Sequence, residues 1–279
     1  MNGFILVNKQ KDVSSNFVVQ EIKKKIKAKK VGHMGTLDPL ASGLLVLAIN
    51  RATKFSSYFL ESNKSYDVEV SLGISTDTDD STGNIIFESN DCPDEALIKK
   101  ELYRFKGESL QVPPFFSALK HKGKPLYYYA RKGEFISKPA RKIKVINIED
   151  FKYKNKICSF RIQCSKGTYI RSIARDLGER LGCGAHMKSL IRISQGKFCI
   201  SKSKEISHLS KEDIISIERA FEDLESITIT SEHEKKFING VTIPELKHKD
   251  NIYRAFSKDN TFIGIGEIKD SFLNHKQLV

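Results

Sequence analysis

The twelve residues Gly32 to Gly43 read GHMGTLDPLASG and set a single carboxylate, Asp38, among three glycines. A carboxylate before proline, on a loop whose glycines allow close approach, is open to the reacting atom of a substrate. Carboxylates act as covalent nucleophiles or as general acid-base groups, although an Asp-Pro pair is also a common plain turn. Other loop chemistries fail on spacing. The stretch lacks the Lys-Ser/Thr ending of a phosphate-binding loop and the G-x-G-x-x-G of a dinucleotide loop. Ala41 precedes Ser42, so it is not a nucleophile elbow either. The acid-rich Asp77 to Gly83, DTDDSTG, has Thr82 where a calcium loop needs its turn glycine, which argues against a metal. Five scattered cysteines (Cys92, Cys158, Cys164, Cys183, Cys199) form no C-x-x-C pair and are expected as free thiols.

The elements that must position Asp38 are legible around it. Ser14 and Ser15 can cap a helix over residues 16 to 29, with Val18, Val19, Ile22 and Ile26 on its apolar face and Lys23, Lys24, Lys25, Lys27 and Lys29 opposite. Tyr66, Val68, Val70, Leu72 and Ile74 alternate as in a half-buried strand, which makes Tyr66 a core aromatic on this pattern alone. A helix is predicted near 169 to 181, with Ile170, Ile173, Leu177 and Leu181 on one face and Gly182 ending it. Residues 202 to 225 read as charged and helix-rich. Strands are expected at Ser226 to Thr230, Ile252 to Phe256 and Thr261 to Ile265, the last two joined by a turn at Lys258 to Asn260. Domains are accordingly placed at 1–226 and 227–279.

The chain has 279 residues and a net charge of +13, which points to an anionic partner, nucleic acid before a membrane surface. Residues 1 to 64 hold eleven Lys or Arg against four Asp or Glu, so about half of that charge surrounds the Asp38 loop. Between Ser117 and Asn147 nine basic residues and one Glu interleave with Tyr127, Tyr128, Tyr129 and Phe135. That mixture suits phosphates and unstacked bases, and equally a solvated basic β-hairpin. The N-terminal run Phe4 to Val7 is far shorter than a signal core and no later apolar run approaches the length of a membrane span, so a cytoplasmic protein without membrane contact is expected.

The stretch GHMGTLDPLASG resembles the active-site motif of the tRNA pseudouridine synthase B family, which isomerises uridine 55 in the tRNA T loop. Five further blocks are similar and stand in the family's order: Val7-Asn8-Lys9, Lys64-Ser65-Tyr66, Thr76 to Gly83, Gln111 to Lys120 and Ser165 to Arg171. They span most of residues 5 to 200, and the tail is more weakly similar to the small RNA-binding domain of such synthases. The resemblance implies an α+β pseudouridine synthase fold. Its large, mostly antiparallel mixed sheet would be flanked by helices and followed by a small β-rich, PUA-like C-terminal domain.

By the same resemblance Asp38 would be the catalytic aspartate, attacking the flipped uridine or its ribose so that the base detaches, rotates and rejoins through C5. Arg171 would pair with Asp38, and Asp80 would hold that arginine from its far side. Tyr66 would stack on the flipped base and take its C5 proton, which reverses the core reading. His33 would enter the T loop as the base leaves, Tyr169 and Leu190 would line the uracil pocket, and Lys9 and Lys120 would contact the substrate or its phosphates. No cofactor and no metal are implied, because the isomerisation changes no oxidation state and breaks no bond to phosphate. The expected partner is the T arm of tRNA, with the enzyme acting as a monomer and without an obligate protein partner. An RNA-guided pseudouridylase and a non-catalytic RNA-binding module are the alternatives. The family usually has proline and glycine at the positions of Gln10 and Asp12, and a smaller or more polar residue at Met34.

Overall fold

The computed structural model describes residues 1–245 and 247–279. A ten-stranded mixed sheet forms its centre. From one edge the order is Ile215–Ser216, Gly3–Lys9, Ser42–Ile49, Ala185–Gln195, Lys64–Leu72, Ile157–Cys164, Arg141–Lys154 and Gly107–Gln111, with Val31–His33 and Phe198–Cys199 paired off that path. All pairings are antiparallel except Ile191 and Arg192 with Ser42 and Gly43. At that junction a Cβ on Gly43 would lie 2.5 Å from the Arg192 carbonyl oxygen, and φ is +97°. Only glycine fits there, so the residue closing the Asp38 loop is fixed by backbone packing.

The predicted alternation over Tyr66 is a strand, Lys64–Leu72, in which Lys64, Tyr66, Val68, Val70 and Leu72 are buried and the residues between them less so. The strand ends before Gly73, and Ile74 begins a separate two-stranded ribbon, Ile74–Thr76 with Ile85–Glu88. The first helix is Ser15–Lys25, capped by the Ser14 side chain, which accepts from the Phe17 amide at 3.0 Å. It stops short of the expected residue 29 because Lys27 turns left-handed at φ 55°. Its inner face, Val18, Val19 and Ile22, joins a core with Leu37, Leu45 and Val68, while Lys23, Lys24 and Lys27 are exposed. The second predicted helix is Ile170–Leu181, ended by Gly182 at φ 70°.

Two expectations are corrected. Residues 202 to 225 are not helix-rich: they hold short 3-10 turns and one four-residue helix, Ile217–Ala220. Their charges sit on residues that pack in single turns against the sheet edge, so no helical face develops. The basic segment from Ser117 is only briefly a hairpin, Lys120–His121 with Lys124–Pro125, before the tyrosines enter a helix, Leu126–Ala130.

A second sheet starts at Ser226. Its order is Ser226–Thr228, Asn251–Phe256, Phe262–Lys269, Phe272–Leu278 and Ile243–Pro244, and the helix Ser231–Ile238 inserts Phe237, fully buried, into its core. The two sheets share apolar contacts: Ile265 packs into the cluster of Phe4, Phe55 and Phe221. Arg51 adds a bond from Nη1 to the Val279 carbonyl at 3.2 Å. Among the described residues no helix is long and apolar enough to cross a membrane.

Candidate active site

Asp38 lies on the turn between Val31–His33 and Ser42–Ile49, and buried groups hold that turn from beneath. Ser15 Oγ, on the first helical residue, donates to the Leu37 carbonyl and accepts from the Leu37 amide, each at 2.8 Å. Lys9 Nζ donates to the carbonyls of Val13 at 2.7 Å, Gln10 at 2.9 Å and Pro39 at 3.3 Å. An ammonium has three donors, so Lys9 is fully used, and its side chain has no solvent exposure. Its three donors are thus turned to the carbonyls of the loop, whereas the sequence reading expects them on substrate or phosphate. Burial pushes its ammonium down to about 8. Asp12, where the family usually has glycine, adopts φ 67° and donates its amide to the Pro39 carbonyl at 2.8 Å. Aspartate tolerates that left-handed geometry, so the turn survives the replacement. Met34 is buried in the apolar cluster around Phe4.

Arg171 enters from the second residue of its helix and is only 5% exposed. Its Nε stands 2.9 Å from Asp38 Oδ2, and Nη1 stands 3.8 Å from Asp80 Oδ2. The Nε approach lies off the N–H axis, so this is an ion pair rather than a directed hydrogen bond. The guanidinium is oriented instead by the carbonyls of Thr78 at 3.0 Å and Phe116 at 2.8 Å. Asp80 is itself fixed, its Oδ1 accepting from the Thr78 hydroxyl at 2.8 Å, the Thr82 amide at 2.9 Å and the Thr82 hydroxyl at 2.6 Å. The acid-rich loop thus wraps a carboxylate that faces Arg171. Among the described residues no cluster of His, Cys, Asp and Glu could hold a metal ion.

Beside this pair opens a cavity of about 280 Å³ bordered by Asp38, Tyr66, Tyr169, Leu190 and Arg171. That volume is near the lower end for small-molecule pockets, roughly 300–1,000 Å³. Tyr66 is buried, and burial pushes its phenol up while Arg192 opposes that shift. Tyr169 is held at its backbone by Gln111, whose amide group accepts from its N–H at 2.8 Å and donates to its carbonyl at 3.0 Å. Arg141 lies over the Tyr169 ring, 4.5 Å from its centre. A second cavity of about 540 Å³ shares Asp38 and Arg171 as its wall and is otherwise bordered by His33, Tyr127 and Arg131, among others. Burial, more than nearby Arg192, pushes the His33 imidazole down, so it faces this cavity uncharged at neutral pH. Lys120 is exposed on the small hairpin and borders neither cavity.

Four residues at the site escape sequence reasoning: Lys64, Gln111, Arg141 and Arg192. Lys64 and Gln111 each begin a block that resembles the family, but the sequence does not separate a marker from a side chain with work to do. Arg192 sits in a strand where nothing in the pattern separates it from a surface cation, yet it is 2% exposed.

Comparisons with known proteins bear on the family and the fold. Residues 23–170 match the N-terminal domain model of the TruB family pseudouridylate synthases, and 171–227 match the tRNA pseudouridylate synthase B C-terminal domain. The tRNA pseudouridine synthase B of Clostridium kluyveri is 40% identical over 279 residues, covering 97% of this chain and 96% of that protein. Its counterpart from Francisella tularensis subsp. novicida is 37% identical over 286 residues, covering 99% and 94%. Among solved structures, a Cbf5-Nop10-Gar1 complex superposes with a TM-score of 0.72 at 23% identity, over 99% of this chain and 84% of that one. An H/ACA RNP bound to a substrate RNA containing 2'-deoxyuridine gives 0.72 at 21% identity over the same shares. These likenesses of structure extend the shared fold, a large mixed sheet followed by a β-rich tail, across both parts of the molecule. By family model and by full-length identity, the chain belongs to the TruB family of pseudouridylate synthases.

Proposed function

We propose that the chain converts uridine to pseudouridine at position 55 in the T loop of tRNA, with Asp38 as its catalytic group. The observation that carries this reading is the Arg171 to Asp38 pair, 2.9 Å apart, at the mouth of a cavity of about 280 Å³. The flipped uridine enters that cavity, Tyr66 stacks on it and takes the C5 proton, and Tyr169 and Leu190 bound the ring. Asp38 attacks the nucleotide, the base detaches, turns and rejoins through C5, and Arg171, backed by Asp80, keeps the carboxylate aimed. His33 enters the T loop from the second cavity as the base leaves the stack, and Lys120 grips phosphate. Extruding a base costs a few kcal/mol, which phosphate and stacking contacts offset. The enzyme acts as a monomer in the cytoplasm, and residues 227–279 form an RNA-gripping domain behind a catalytic domain of residues 1–226.

The test is incubation of the purified chain alone with an unmodified tRNA transcript, followed by mapping of modified uridines. Pseudouridine at position 55 is expected. A chain that is inert until guide RNA and protein partners are added contradicts stand-alone action, and a chain that binds tRNA without ever converting it is a non-catalytic RNA-binding protein.

A further inference from the structure

Besides Arg171, the base cavity carries positive charge that the roles above do not use. Lys64, Arg141, Arg171 and Arg192 border the cavity, and Asp38 is its one carboxylate. Asp38 is engaged by Arg171 at the mouth, whereas neither Lys64 nor Arg192 forms an ion pair with any described residue. Both are nearly sealed, at 8% and 2% exposure. They converge on Gly35: Lys64 Cε and Arg192 Nη1 lie 3.6 and 3.8 Å from where a Cβ of that residue would be. Arg192 also stands over Tyr66, 5.8 Å from the ring centre.

Neutral dipoles hold these cations in place. Lys64 Nζ donates to the Ser62 carbonyl at 2.6 Å and the Leu60 carbonyl at 3.1 Å. Arg192 donates to the carbonyls of Thr36 at 2.7 Å, Gly35 at 3.1 Å and Leu44 at 3.4 Å, and its buried Nε has no partner. Carbonyls satisfy donors without cancelling net charge. Two buried cations side by side, with no carboxylate within ion-pair distance of either among the described residues, are costly, since each repels the other where water is scarce. A fold that keeps them offers a standing positive potential to whatever enters.

Resting on the function proposed above, we propose that Lys64 and Arg192 stabilise the uracil anion formed when the base detaches. The C1′–N1 bond breaks with its electron pair remaining on N1, so the ring leaves as an anion while Asp38 satisfies the ribose carbon. The anion is discharged when C5 bonds to C1′ and displaces the Asp38 carboxylate. The C5 proton is then lost and N1 takes one up, so atoms and electrons balance without an oxidant or reductant. Fixed charge aimed at a developing anion in a site closed to water lowers that barrier with little reorganisation.

Leaving-group chemistry tests this. Single-turnover cleavage of the C1′–N1 bond is measured for parent, Lys64→Met, Arg192→Lys and Arg192→Met on tRNA carrying uridine or 5-fluorouridine at the target position. The fluorinated ring is the stronger acid and needs less help as an anion. Lys64→Met is expected to lose about 100-fold on uridine, and several-fold less on 5-fluorouridine, with unchanged tRNA affinity. Arg192→Lys keeps the charge and should retain most of the rate even if Arg192→Met fails to fold. An equal loss on both nucleotides in Lys64→Met, or no loss on uridine, overturns the inference while leaving the function intact. A parent that converts neither nucleotide overturns the function as well.

Discussion

Lys9 and the group Lys23, Lys24 and Lys27, at and just past the end of the first helix, lie within twenty residues of each other and do opposite things with the same side chain. Lys9 is sealed, and its ammonium is spent on three carbonyls that shape the turn carrying Asp38. Lys23, Lys24 and Lys27 stand in solvent, and none of them forms an ion pair among the described residues. A buried cation acts through geometry and local potential and is indifferent to salt, while an exposed one acts at long range and is screened within about 10 Å at 0.1 M salt. Under the proposed function charge serves in both ways, one to build the reacting site and the other to attract the substrate. Changes to the first should alter turnover or folding, and changes to the second should alter affinity and its salt dependence.

The largest effect is expected within the site. Asp38→Asn keeps shape and hydrogen bonding but removes the carboxylate proposed to attack, and should lower single-turnover pseudouridine formation by roughly 10⁴-fold with tRNA affinity nearly unchanged. Turnover within tenfold of the parent would contradict the role given to Asp38. Arg171→Lys comes next, at roughly 10²-fold, because a lysine cannot face two carboxylates while also holding the carbonyls of Thr78 and Phe116. Near-parent rates there would mean that Asp38 is aimed by another group.

Smaller effects separate the two kinds of lysine. Lys9→Met leaves carbonyls unpaired beneath the turn and should cost about 1–3 kcal/mol of stability in urea unfolding. An unchanged unfolding midpoint would remove Lys9 from the turn's support. Burial holds both Lys9 and Lys64 at about 8 in the folded chain, against 10.5 in the absence of structure. Between those values the unfolded chain binds more protons, so these two groups make stability rise with pH from about 8 to 10.5, and Lys9→Met should flatten that rise. Neutralising Lys23, Lys24 and Lys27 together should leave the rate at saturating tRNA untouched. It should make the plot of log affinity against log salt shallower by about 0.9 for each phosphate that these lysines no longer neutralise. An unchanged slope would make that helix face merely solvated and move the grip to the segment from Ser117 to Asn147.

The sequence revealed the site better than its surroundings. Helix 15 to 25, strand 64 to 72 and helix 170 to 181 are each marked by period and caps, since a single buried face imposes a pattern on neighbours in the chain. The order of strands is not legible, because pairings such as Ile191 with Ser42 join residues far apart in sequence. Residues 202 to 225 mislead for a related reason: high charge favours helix in isolation, but these residues fold as single turns against the sheet. Within the site, Asp38 and Arg171 stand in readable motifs, whereas Arg192 does not. A cation's burial depends on what folds over it, here the carbonyls of Gly35, Thr36 and Leu44. Lys9 shows the same limit from the other side, a motif residue whose chemistry follows only from the three carbonyls around it.

Whether this chain makes pseudouridine 55 through Asp38 is decided by mapping tRNA from a strain that lacks the gene, complemented with the parent or with Asp38→Asn. Uridine at position 55 is expected in the deletion strain, with pseudouridine restored by the parent and uridine retained with Asp38→Asn. Pseudouridine persisting at position 55 in the deletion strain, or restored by the Asp38→Asn chain, would contradict that assignment.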